Sequence, residues 1–214
     1  MYFKNRQQAA NLLADRLARY KGRNPLVLGI PRGAVPMAKI IADALEGEMD
    51  VMLVHKLRAP DQAELAIGSV DEGGQVYLRS NAFGIPEGYI LAEKEFQMAV
   101  LRGRRALYTP VHPPISPAHR IVIVVDDGIA TGASMIAALR VVRQRGPEKL
   151  IAATAVAPHE TLQEVRGLAD EVVCLEVPDY FYAVGEYFDE FAQVSDEEVT
   201  AILQQGRPQS EAAK

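Results

Sequence analysis

Residues 126–134 read Asp-Asp-Gly-Ile-Ala-Thr-Gly-Ala-Ser, two adjacent carboxylates ahead of a turn built from small residues and hydroxyls. The five residues before them, Ile121 to Val125, are all β-branched, the pattern of a strand buried on both faces. Carboxylates at the end of such a strand are costly to bury unless they are hydrogen-bonded. Asp126 and Asp127 therefore need partners. The turn behind them, and a helix expected from Gly132 to Arg145, offer backbone N–H groups and a positive helix end, which suit a phosphate dianion. Thr131 and Ser134 add hydroxyl donors. A phosphate in direct contact with the two acids would be repelled, so the acids read as acceptors for sugar hydroxyls. Phosphate at the loop and a diol at the acids describe a sugar phosphate. The nucleotide P-loop is excluded because its Gly-Lys-Ser/Thr ending is absent, and the dinucleotide fingerprint because its spaced glycines are absent.

Two basic segments stand upstream. Pro31-Arg32-Gly33 follows a short apolar run, and its guanidinium suits a bidentate phosphate contact. Val54 to Pro60 carries Lys56 and Arg58, and Glu64 after it reads as a surface residue. His55, His112 and His119 lack metal-ligand spacing, and His159 reads as a helix start. Downstream, residues 177–189 are dense in aromatic rings, among them Phe181, that could stack on a planar ligand.

The surrounding pattern alternates strands and helices. Asn5 caps a helix with Ala9, Ala10, Leu13 and Leu17 on one stripe. A strand over 25–30, a helix with Pro36 in its first turn, and a strand over Asp50 to His55 follow. Asp71-Glu72-Gly73-Gly74 reads as a hairpin turn. A charged helix over 86–108 and a proline-rich linker over 109–119 interrupt the rhythm. It resumes with strands at 121–125, 149–156 and 171–177 and helices between them, and Ser195-Asp196-Glu197-Glu198 opens a last helix as a capping box. Cys174 reads as a small core residue of the last strand. The pattern predicts one α/β domain with a mostly parallel sheet flanked by helices, and ligands bind such sheets at the carboxyl ends of the strands.

The 214 residues carry a net charge of −5, which argues against a nucleic-acid backbone as partner. No uncharged run approaches a membrane span, the first residues lack the apolar stretch of a signal peptide, and a single cysteine fits a reducing compartment, so a cytoplasmic protein is expected.

Residues 121–134 resemble the motif of the type I phosphoribosyltransferases: an apolar strand, two acids, a short loop and Thr-Gly-x-Ser/Thr, each matched here. The resemblance spans about residues 24–192 apart from an insertion over 80–116. It implies the type I phosphoribosyltransferase fold, with a C-terminal hood over 177–192. It also implies magnesium-dependent transfer of the phosphoribosyl group of 5-phosphoribosyl-1-pyrophosphate (PRPP) to a nitrogen nucleophile such as a nucleobase, with release of pyrophosphate. Asp126 and Asp127 would then face the ribose. Gly128, Ile129, Ala130, Thr131, Gly132, Ala133 and Ser134 would form the loop around the 5′-phosphate. Arg32 and Gly33 would belong to the pyrophosphate loop. The 54–60 segment is similar to one that precedes the mobile loop of adenine phosphoribosyltransferases, so Lys56 and Arg58 would neutralise pyrophosphate and a mobile loop is expected near 57–64. The Mg²⁺ would be held mainly by substrate oxygens, and a homo-oligomer is expected. The hood resembles that of hypoxanthine-guanine enzymes, with Phe181 as the stacking ring and Asp189 near the base or metal. Two determinants of those enzymes are missing, since their loop acid falls at Ala130 and their base-reading lysine at about Ala169. The alanine in the loop is similar to the adenine and uracil enzymes, and the acceptor stays open. The alternative from another class is a PRPP sensor without turnover.

Overall fold

A computed structural model describes residues 2–108, 110, 111 and 113–205, without the side chains of residues 63, 64 and 80. Helix α1 (Arg6–Arg16) is capped by the Asn5 side chain, which accepts from the Gln8 amide at 3.1 Å. Strand β1 (Leu26–Gly29), helix α2 (Val35–Leu45) and strand β2 (Glu48–Val51) form the first crossover. Strands β6 (Ile121–Gly128), β7 (Lys149–Val156) and β8 (Glu171–Glu176) alternate with helices α4 (Ala133–Gln144) and α5 (His159–Arg166). These five strands make one parallel sheet in the order β2-β1-β6-β7-β8.

Strand alternation divides the core into two layers. Val27, Ile121, Ile123 and Val125 face the layer that holds α1 and α2, whereas Leu26, Leu28, Val122 and Val124 face α4 and α5. Both faces of β6 are covered, so all of Ile121 to Val125 are buried. Strand β8 has a neighbour on one side only. It is half-buried throughout, and Cys174, expected in the core, is half-buried with it. Burial still pushes the thiol up to about 11.

Between β2 and β6 the chain builds a second sheet. Strands β3 (Val54–Ala59), β4 (Gln62–Asp71) and β5 (Val76–Leu78) are antiparallel. The expected strand over Asp50 to His55 is thus split between two sheets. Strand β1 ends at Gly29, paired with Val51, and turns away at Pro31, so β2 has no neighbour to pair with beyond that point. The expected loop over 57–64 is the tip of the β3–β4 hairpin. The pairing runs on to Ala59 and Gln62, and Leu57 is fully buried.

Helix α3 (Glu87–Tyr108) lies across this hairpin, and a last helix, α6 (Asp196–Gln205), packs on both α2 and α3. Arg105 makes a bidentate pair with Glu72 in the β4–β5 turn at 2.6 and 3.0 Å, and Glu93 accepts the Arg58 amide at 3.0 Å. The capping box of α6 is formed, with Ser195 and Glu198 exchanging bonds of 2.7 and 3.1 Å. Among the described residues no helix is long and apolar enough to cross a membrane.

Helix α3 buries one stripe and exposes another. Leu101 is fully buried while Leu107 is 54% exposed. Leu101→Ala should therefore lower the unfolding free energy in urea by about 2–5 kcal/mol. Leu107→Ala should stay within about 0.5 kcal/mol of wild type. Equal effects would mean that α3 is not packed in this register.

Candidate functional site

Strands β1 and β6 are neighbours at the centre of the sheet, and their connections leave in opposite directions: α2 leads outward to β2, and α4 leads to β7 on the other side. The chain therefore parts at their carboxyl ends and leaves a crevice, where ligands bind in open α/β sheets. The Pro31–Gly33 turn leaves β1 there, with a cis bond between Pro31 and Arg32, and the 129–132 loop leaves β6.

The loop after β6 is anchored at its two ends. The Ile129 amide donates to Val156 at 2.9 Å, and the Thr161 hydroxyl donates to the Ala130 carbonyl at 2.8 Å. Gly132 sits at φ 77° as the N-cap of α4, a conformation that disfavours side chains, and supplies no capping side chain. Among the described residues, no acceptor meets the amides from Ala130 to Met135. A run of open amides at the positive end of a 12-residue helix is an arrangement suited to a phosphate.

The two acids part company at the strand end. Consecutive strand residues point to opposite faces, so Asp127 follows Val125 toward α1 while Asp126 follows Val124 toward α4. Asp127 accepts from Arg6 Nε at 2.8 Å, and both side chains are only 14% exposed. Arg6 also donates to the Ala192 carbonyl at 2.7 Å and lies over the Phe191 ring at 3.8 Å. Asp126 accepts the Asp127 amide at 3.0 Å. Burial, and then the neighbouring Asp127 charge, hold its carboxyl well above the usual range, against the pull of Arg6. The Arg32 turn presses close to this pair. A Cβ on Gly33 would lie 2.2 Å from Asp127 Oδ2, so any side chain there must displace Asp127 or the turn.

Arg6 arrives from the N-terminus because that segment is part of the hood. Phe3 bridges to Phe188, and the amides of Asp189 and Glu190 donate to Phe3 and Lys4 at 2.9 Å each. Residues 177–192 and 2–6 thus form one lid over the carboxyl ends of the strands. Tyr187 and Phe188 are buried in it, whereas Tyr180 and Tyr182 are exposed.

Two cavities open beneath the lid. One of about 340 Å³ is lined by Arg6, Arg32, Gly33, Asp127, Val184 and Phe191, among others. The other, about 420 Å³, is lined by Pro158, His159, Glu160, Asp179 and Phe181 with Val177 and Pro178. Phe181 is stacked on Tyr187 at 5.8 Å, with its ring at the second cavity. The structure thus brings Arg32, Gly33 and Asp127 together and sets Phe181 apart from them. Lys56 and Arg58 lie on β3, and Asp189 is exposed on the lid; none of the three lines either cavity. Ala169 lies before β8, at the amino end of the sheet, so its identity has no bearing on ligands at the carboxyl ends. The position that could bear on them is the end of β7, where Ala157 leads into His159 and Glu160. His112 and the Glu64 side chain lie outside the described residues. Sequence reasoning passed over Arg6, Glu160 and Asp179. Arg6 was not singled out, because nothing local marks it as the partner of Asp127.

The model of the phosphoribosyl transferase domain matches residues 2–190. The chain belongs to the phosphoribosyl transferase family. Two Mycobacterium tuberculosis proteins (strains CDC 1551 and H37Rv) that carry provisional phosphoribosyl transferase names are each 39% identical over 204 residues, covering 94% of this chain and 46% of theirs. The chain therefore spans about half the length of these curated relatives. The crystal structure of TT1426 from Thermus thermophilus is 44% identical, covers 97% of this chain and 100% of its own, and superposes with a TM-score of 0.87. The parallel sheet flanked by helices is the type I phosphoribosyltransferase fold.

The contact of Gly33 with Asp127 yields a test that needs no assumption about turnover. Gly33→Ala should move the Arg32 turn or displace Asp127 from Arg6. Titration calorimetry should then show inorganic pyrophosphate binding weakened at least about tenfold, roughly 1.4 kcal/mol, with an unchanged far-ultraviolet spectrum. Unaltered affinity would show that the turn does not hold the anion.

Proposed function

We propose that the protein transfers the 5-phosphoribosyl group of PRPP to a nitrogen nucleophile, a nucleobase, and releases pyrophosphate. The observation that carries this reading is that the Arg32–Gly33 turn and the open 130–135 amides leave the neighbouring strands β1 and β6 at one switch point, with Asp126 and Asp127 at the end of β6. Two such elements on neighbouring strands suit a ligand with a phosphate at one end and a diphosphate at the other.

The open amides would hold the 5′-phosphate, and Thr131 and Ser134 lie within the same loop. Asp126 would accept hydrogen bonds from the ribose hydroxyls. Arg32, beside Gly33, would take the pyrophosphate, and Arg6 would keep Asp127 neutralised so that the acids do not repel the incoming anion. The C1′–O bond to pyrophosphate breaks, a C1′–N bond forms, and the ring nitrogen gives up its proton. No side chain needs to form a covalent bond; positioning and charge neutralisation lower the barrier. Among the described residues no three carboxylate, histidine or cysteine groups gather to hold a metal. A Mg²⁺ ion would be held mainly by the oxygens of PRPP, where it would neutralise the leaving pyrophosphate. Asp126, which no arginine hydrogen-bonds, is the protein oxygen that suits it.

The acceptor reading rests on the second cavity. Phe181 gives one ring face to Tyr187, leaving the other for a planar base. The charged residues that line it are Glu160 and Asp179, with no arginine or lysine. Carboxylates accept hydrogen bonds, so a base that presents N–H donors suits the site, and an anionic ring does not.

Pyrophosphate release from magnesium PRPP should be measured over adenine, hypoxanthine, guanine, xanthine, uracil and orotate. Turnover is expected with an amino-bearing base and not with orotate. Binding of PRPP by calorimetry without release for any base would favour a sensor instead, and absence of binding at millimolar ligand would end the proposal.

The raised carboxyl of Asp126 adds a pH signature. Ribose hydroxyls donate to the ionised form, so binding must drive its proton off. PRPP affinity should therefore rise with pH through the raised value and level off once the free protein is already ionised. The phosphates of PRPP titrate too, so the difference from Asp126→Asn is the measure. A wild-type slope that survives unchanged in Asp126→Asn would remove Asp126 from the ribose site.

A further inference from the structure

Arg32 does not stand alone at the cavity. Its Nη1 lies 3.6 Å from Oδ2 of Asp196, the first residue of α6, and the other oxygen of that carboxylate accepts the Tyr108 hydroxyl at 2.6 Å. Tyr108 is the last residue of α3 and is fully buried. We infer that Asp196 and Tyr108 are positioning residues for Arg32, so that helices α3 and α6 form part of the grip on the pyrophosphate end of the ligand. This inference rests on the PRPP reading above.

Rigidity and distance both point this way. Asp196 is fixed three times over. Its carboxylate is held by Tyr108, its carbonyl accepts the Thr200 hydroxyl at 2.8 Å, and the capping bonds of Ser195 and Glu198 flank it. Val199 and Leu203 bury the helix that carries it. Burial and the bond to Asp196 push the Tyr108 phenol further above its ordinary value, so it remains a donor throughout the working range. The arginine at the other end is a long side chain, 37% exposed, on a tight turn. A separation of 3.6 Å is longer than a charge-assisted hydrogen bond. Asp196 therefore orients the guanidinium electrostatically and leaves its donors for an anion. Without this tether, a ligand would have to order Arg32 itself on binding.

The alternative role for Asp196 is a competing counter-ion, which would hold Arg32 away from the ligand. Calorimetry with two probes separates the roles, using magnesium pyrophosphate, which needs Arg32, and ribose 5-phosphate, which needs the loop after β6 and Asp126 but not Arg32. Tyr108→Phe keeps the charge of Asp196 but frees its position, and Asp196→Asn removes the charge. Both variants should weaken pyrophosphate about 2- to 12-fold, the ordering cost of one long side chain, and leave ribose 5-phosphate unchanged. Asp196→Glu, whose longer arm keeps the charge, should recover part of the loss. Tighter pyrophosphate binding by Asp196→Asn would establish competition and overturn the inference. Unchanged affinities, or equal losses for both probes, would also overturn it. A wild-type protein that binds ribose 5-phosphate but not pyrophosphate would overturn this inference and spare the sugar-phosphate site. One that binds neither would overturn the functional reading as well.

Discussion

Asp126 and Asp127 follow one another at the carboxyl end of a strand whose preceding residues are all buried, and two adjacent carboxylates there cannot both ionise unaided. Most of the site can be read as the response to that constraint. The pleat turns the two side chains to opposite faces of the sheet, which places them in different surroundings. One receives an arginine and the other does not. Asp127 is neutralised by Arg6, and Asp126 carries the raised carboxyl. The pair is thereby split into a charge already compensated by the chain itself and a carboxyl whose ionisation its surroundings disfavour. Arg6 reaches Asp127 only because residues 2–4 are pinned to residues 187–190, so the lid is what completes the strand end.

What the sequence disclosed was whatever short-range chemistry determines. The β-branched run of β6, the Asn5 cap, the Ser195–Glu198 box and the long α3 are each settled by neighbouring residues, and each is found where the spacing predicts. Asp126, Asp127 and the loop to Ser134 were legible for the same reason, because a strand, a small-residue turn and a helix start are local events. What was hidden depends on contacts distant in sequence. Arg6 meets Asp127 across 121 positions, and Arg32 meets Asp196 across most of the chain. The split of Asp50 to His55 reflects where β1 ends, which is not written in residues 50–55 themselves. Ala169 shows a different limit. Counting back from the last strand finds a position, but in a parallel sheet that position is at the end away from the ligand.

The same contacts explain why the helix over 87–108 matters to a site it does not border. It clamps the β3–β4 hairpin through Arg105 with Glu72 and through Glu93, and it ends in the tyrosine that fixes Asp196. A segment that interrupts the βα rhythm in sequence is, in space, the brace between the second sheet and the C-terminal helix.

For a chain of net charge −5, the proposed hold on a polyanion must be local. Charges further away than about 8 Å are largely screened at physiological salt, so the overall charge affects the rate of approach more than the bound state. At the crevice the attractive groups are the guanidiniums of Arg6 and Arg32 and the amides from Ala130 to Met135. Both arginines come with a carboxylate at hand, Asp127 at 2.8 Å and Asp196 at 3.6 Å. Such pairing lowers the cost of holding two cations side by side in one cavity, and it also limits their net pull on an anion. The amides carry no such penalty. They are neutral, need no counter-ion and are already aligned by α4, so on the proposed reading the phosphate end of the ligand is the end held with the least reorganisation. The arginine end depends on geometry instead, which is why the groups that fix Arg32 matter as much as its charge.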